Sequence, residues 1–93
     1  MRWLAEVRIV LRAGIADPEG QTVASALRSL GFDTVAEVGT GKLLRIGFDA
    51  ADRNAAERAV DDMCRRLLAN PVMEVASWGL AEAAAVPSRG AAL

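Results

Sequence analysis

The stretch WLAEVRIVLR, residues 3 to 12, constrains the fold more than any other part of the chain. Trp3, Ala5, Val7, Ile9 and Leu11 recur at every second position and share one face, while Glu6, Arg8 and Arg12 fall on the other. Successive side chains of an extended strand point to opposite faces, so this alternation predicts a strand with one face buried. Such a strand needs a covering layer on its apolar side.

Two segments can supply that layer. A helix is expected at about 18 to 30: Asp17 can cap its free N–H groups, Pro18 suits the first turn, and Gly31 supplies a left-handed stop. Val23, Ala26, Leu27 and Leu30 follow the i, i+3, i+4, i+7 rule and predict one core-facing stripe. A second helix is expected from Asp52, with Ala56, Val60, Met63, Cys64 and Leu67 on its stripe. On its outer face Asp61 precedes Arg65 and Asp62 precedes Arg66 at i, i+4, pairs worth a few tenths of a kcal/mol each. Asn70, in a left-handed conformation, and Pro71, which cannot extend a helix, should end it.

Between the helices, DTVAEVGTGKLLRIGFD (33 to 49) holds two short β-prone runs around Gly39-Thr40-Gly41. Glycines there permit the positive φ of a tight hairpin, and Leu44, Ile46 and Phe48 would share the inner face of its second strand. A last strand is expected at about 72 to 80. The order strand, helix, strand, strand, helix, strand is that of an α+β, ferredoxin-like βαββαβ sandwich: a four-stranded antiparallel sheet with two helices on one face. Residues 1 to 80 would form the single domain and 81 to 93 a flexible tail. Leu4, Val10, Leu43, Val72, Ala76, Trp78 and Leu80 are expected on or near the uncovered sheet face, which would make it a binding surface.

Composition narrows the function. At 93 residues a domain is marginal alone, and with 53% hydrophobic residues a further subunit is expected to cover part of its surface. A net charge of −1, with Lys and Arg scattered, argues against nucleic acid. With no histidine and one cysteine, neither an internal disulfide nor a metal-ligand spacing is available. The first ten residues carry charges throughout and resemble neither a signal peptide nor a membrane span, so a cytoplasmic protein is expected.

The candidate chemical motifs have simpler structural roles. Cys64 lies on an apolar stripe, where burial raises a thiol pKa, and no histidine can serve it as base. DPEG (17 to 20) is a helix start whose own carboxylate would occupy the anion-binding donors. GTGK (39 to 42) lacks the full phosphate-loop spacing and suits a turn, leaving Lys42 as a solvated or partner-facing charge. Asp61 and Asp62 are adjacent on a helix and diverge. No catalytic, cofactor-binding or metal-binding residue is expected in the chain.

LRAGIADPEGQTVASALRSLGF, then VGTGKLLRI, then MCRRLLANPVME, in that order and spacing over about residues 3 to 80, resemble the PurS family, the small subunit of phosphoribosylformylglycinamidine (FGAM) synthase. The resemblance implies a ferredoxin-like homodimer or dimer of dimers in complex with the synthetase PurL and the glutaminase PurQ, in purine biosynthesis. It implies that ATP and Mg are bound by PurL and ammonia is released by PurQ, this chain being a non-catalytic adaptor. Asp17, Lys42, Leu43, Arg45 and Trp78 are the residues expected at interfaces. The rivals on the same fold are an acylphosphatase-like hydrolase, which would need Arg12 to hold phosphate beside a net acidic loop, and a small-molecule-sensing domain. An RNA-binding sheet would need more aromatics than Trp78.

Overall fold

The computed structural model describes residues 1–83. Its elements are β1 (Arg2–Leu11), α1 (Pro18–Ser29), β2 (Gly41–Asp49), α2 (Arg53–Met63), a π-helical turn (Cys64–Leu68) and β3 (Glu74–Glu82). The strand order is β2-β1-β3, with both outer strands antiparallel to β1. They are therefore parallel to each other, and α2 crosses over β1 between them.

The alternation in β1 is realised: Trp3, Ala5, Val7 and Ile9 are buried, and Ala5 and Val7 have no exposed surface. Ala56, Val60 and Cys64 close over them, flanked by half-buried Leu44, Ile46 and Phe48 of β2 and Ala76, Trp78 and Leu80 of β3. Both caps form as expected. The Asp17 carboxylate accepts from the Gly20 N–H at 2.9 Å and the Asp52 carboxylate from the Ala55 N–H at 2.8 Å. Gly31, with φ +101°, ends the α1 region.

Five expectations are corrected. First, the sheet has three strands among the described residues, and no hairpin forms over 33 to 49: residues 33–40 are irregular, and neither Gly39 nor Gly41 has positive φ. Their backbone is bound to α1 instead. Arg28 donates to the Val35 and Ala36 carbonyls at 2.9 and 2.8 Å, and the Thr40 N–H donates to Asp17 at 2.8 Å. Second, the last strand takes the opposite face. Ala76, Trp78 and Leu80 lie across from Ile9, Val7 and Ala5, so they face the helices, while Val75, Ser77 and Gly79 are open; Val72 precedes the strand.

Third, most of the stripe on α1 is open: Leu27 is half-buried, but Val23, Ala26 and Leu30 are exposed, the buried positions are Gly20 and Ala24, and Leu30 and the following Phe32 are 75% and 57% exposed. Fourth, Leu67 is 83% exposed, while Leu68 and Ala69 pack on the core. The Ala69 N–H reaches the Cys64 carbonyl at 3.1 Å, an i→i+5 bond, and this wider turn shifts the inward face by one residue. Fifth, Asn70 is not left-handed. Its side chain accepts from the Val72 N–H at 2.9 Å, and its backbone N–H donates to Glu74 at 2.8 Å, building the turn into β3. That strand runs to Glu82, two residues past the expected domain end, and residues 84–93 of the expected tail lie outside the described residues.

Candidate functional site

Asp17 ties two segments together. Its carboxylate caps α1 through Gly20 and also accepts from the Thr40 N–H and, at 2.9 Å, from the Thr40 hydroxyl. The Thr40 backbone bond, then the Gly20 bond, then the Thr40 hydroxyl hold this carboxyl below its ordinary pKa. Gly20 allows the close approach that follows: a Cβ there would overlap the Val38 carbonyl oxygen. An open groove lies between α1 and residues 36–38, but its Asp17 and Arg28 are already bonded to the chain.

The uncovered sheet face is not the apolar surface anticipated. At its centre the Glu6 carboxylate meets Arg45 at 3.3 Å and Arg8 at 3.6 Å. Pairs this exposed contribute little to stability. Arg45 Nε is buried and has no acceptor among the described residues. Val10, Leu43 and Val75, 49%, 48% and 41% exposed, gather at one end, where Val10 and Val75 are cross-strand neighbours. At the other end Leu4 lies between Gly47 and Ala81, and Glu6 is flanked by Gly79, so that end is flatter.

The expected interface residues therefore divide. Leu43 and Arg45 share the open face, Lys42 is exposed at the start of β2, Asp17 is half-buried in its tie to Thr40, and Trp78 is on the helix side. Glu6 and Thr40 were missed, since their roles depend on pairings 39 and 23 residues away in sequence. Glu6 alternates with apolar residues, which places it on the open face; only the β1–β2 register sets Arg45 opposite it.

Cys64 is buried, and its thiol pKa is raised, first by burial and then by Asp61. Arg12, the residue an acylphosphatase-like site would require, donates to the Pro71 carbonyl at 3.1 Å. No group of three or more His, Cys, Asp or Glu among the described residues could hold a metal ion. No described helix is long and apolar enough to cross a membrane.

The family model for PurS, phosphoribosylformylglycinamidine (FGAM) synthase, matches residues 4–82. The PurS subunit of Archaeoglobus fulgidus is 49% identical over 71 residues, covering 76% of this chain and 89% of that protein. The PurS structure of Thermus thermophilus superposes with a TM-score of 0.80 at 43% identity, covering 89% and 99% of the two chains. A chain of the PurLQS structure of Thermotoga maritima superposes with a TM-score of 0.79 at 25% identity, covering 87% and 99%. With the match spanning β1 to β3 and the sheet, helices and caps in place, the chain belongs to the PurS family, the small subunit of FGAM synthase.

Proposed function

We propose that this chain is a non-catalytic adaptor that joins a PurL synthetase to a PurQ glutaminase and helps shape the route of ammonia between them. On this reading ATP and Mg belong to the synthetase, glutamine to the glutaminase, and the complex works in the cytoplasm. The chain itself acts as a homodimer or dimer of dimers. The observation that carries the proposal is where apolar side chains are left exposed: α2 seals one side of the sheet, while Leu30 and Phe32 beyond α1, Leu67 within the π-helical turn, and Val10, Leu43 and Val75 at one end of the open sheet face remain uncovered. Surface of this kind on a small domain suits assembly. A chain of the PurLQS structure of Thermotoga maritima is among the solved neighbours, which supports association with PurL and PurQ.

The test is reconstitution. The purified chain alone should show neither synthetase nor glutaminase turnover. PurL and PurQ should form FGAM from glutamine only when the chain is added. Full glutamine-dependent activity without it would overturn the adaptor reading.

A further inference from the structure

We infer that α1 and the segment after it, residues 17–40, form an arm that opens from the sheet as one cooperative unit, carrying the exposed Leu30 and Phe32 with it while β1, α2 and β3 stay folded. The inference goes beyond the proposed adaptor role and does not depend on it. It starts from where the interactions of this segment end. The core cluster and the side chains packed on it include no residue from 12–40. Among the described residues, the hydrogen bonds of 17–40 close inside the segment. Asp17 accepts from Gly20 and Thr40, and Arg28 donates to the Val35 and Ala36 carbonyls. The Phe32 N–H donates to the Leu27 carbonyl at 3.0 Å, and the Val35 N–H to the Phe32 carbonyl at 3.2 Å. Gly20 lies against the Val38 carbonyl, again within the segment.

The ends of the arm have the form of a hinge. Asp17 is its first residue and Thr40 its last, so their tie clamps the arm shut at its base. The chain enters through Ala13-Gly14-Ile15-Ala16, where Gly14 has φ +88° and open space around its Cβ position. Just before that connection Arg12 is anchored, its N–H donating to the Met73 carbonyl at 2.8 Å. The chain leaves through Gly41, which is paired with Val10 and lies so close to β1 that a Cβ would crowd the Ile9 carbonyl. Held backbone therefore gives way to unheld backbone at residues 13–16 and between Thr40 and Gly41. An open cleft of about 230 Å³ separates Glu19 of the arm from Leu11 and Glu74 of the sheet. A segment tied to itself and hardly to the core opens as a unit, at a lower free energy than global unfolding.

Amide hydrogen exchange on the full chain tests this. Both helices are capped by an aspartate, yet the hydrogen-bonded amides of α1 should exchange at least about a hundredfold faster than those of α2, with one shared dependence on low denaturant. Thr40→Val keeps the side-chain shape and removes the hydroxyl bond to Asp17; Arg28→Met removes the two bonds to Val35 and Ala36. Each variant should speed exchange across all of 18–40 about tenfold and leave β1, α2 and β3 unchanged.

Acceleration confined to the neighbourhood of each substituted side chain would show separate local bonds and overturn the single unit. Acceleration that spreads into β1 or α2 overturns the independence of the arm. Exchange in wild-type α1 as slow as in α2 overturns the inference outright, and that comparison stands whether or not either variant folds.

Discussion

Helices α1 and α2 both start from an aspartate that accepts a backbone N–H three residues on, at 2.9 and 2.8 Å, and both carry a periodic apolar stripe. Their stripes meet different fates. α2 lays Ala56 and Val60 on β1 with no surface left exposed, whereas α1 buries only Gly20 and Ala24. Polar ties hold α1 instead: Asp17 to Thr40, and Arg28 to the carbonyls of Val35 and Ala36. Amphipathic spacing therefore states that a face has to be covered, and leaves open whether the same chain covers it.

The contrast breaks first under truncation. Ile9→Ala, at a site 1% exposed beneath α2, should cost about 3 kcal/mol in urea denaturation. Leu30→Ala, measured on dissociated chains, should change stability by less than about 0.5 kcal/mol. Comparable losses at the two sites would show that α1 packs as α2 does.

Gly20→Ala probes the polar side of the comparison. Alanine favours a helix over glycine by up to about 1 kcal/mol. Here its Cβ would meet the Val38 carbonyl, a backbone atom that cannot rotate away. The overlap should win, with a net loss on the order of 2 kcal/mol and faster amide exchange over residues 36–40. A stabilised variant would mean that this segment shifts freely away from α1.

Cys64→Ala returns to the α2 side with a smaller expected loss, about 1 kcal/mol, because little more than one sulfur leaves the core. Turnover of the assembled complex should be unaffected. Ellman's reagent should react slowly with the folded chain, whose buried thiol has a raised pKa. Lost turnover in a folded, assembled Cys64→Ala complex would contradict a packing role.

What could be read from the sequence follows the range of the interactions. The caps at Asp17 and Asp52 act within three residues, and β1 states its inner face by an unbroken apolar parity against Glu6 and Arg8 on the other, so both are legible. β3 has apolar side chains at both parities, Val75 on one and Ala76, Trp78 and Leu80 on the other. Only pairing with β1 decides which set turns inward. The run at 35–38 has strand propensity, but Arg28 and Asp17 claim its neighbourhood through tertiary bonds that no local pattern displays. Leu67 turns outward where helical periodicity predicts it inward, because one i→i+5 bond rotates the end of the helix. At the candidate site, Leu43 and Arg45 could be placed on the open face by parity, while the Glu6 pair needed the register.

The smallest effect concerns pH, and it separates the two helices without any packing change. Asp17 titrates below its ordinary 3.8 in the folded chain because Thr40 and Gly20 donate to its ionised form. A carboxylate with a depressed folded pKa adds stability that is fully present above the unfolded value. That contribution disappears as pH falls through the folded value. Nothing should change near neutrality; below about pH 4 the tie to Thr40 should weaken as the proton binds. In an NMR titration the Thr40 and Gly20 amide signals should move together with a midpoint below 3.8, while Val60, packed beneath α2, stays unmoved until global unfolding. Asp17→Asn should abolish that shared step. If the two amides titrate at the ordinary carboxylate value, or Val60 moves with them, the polar tie is not what distinguishes α1 from α2.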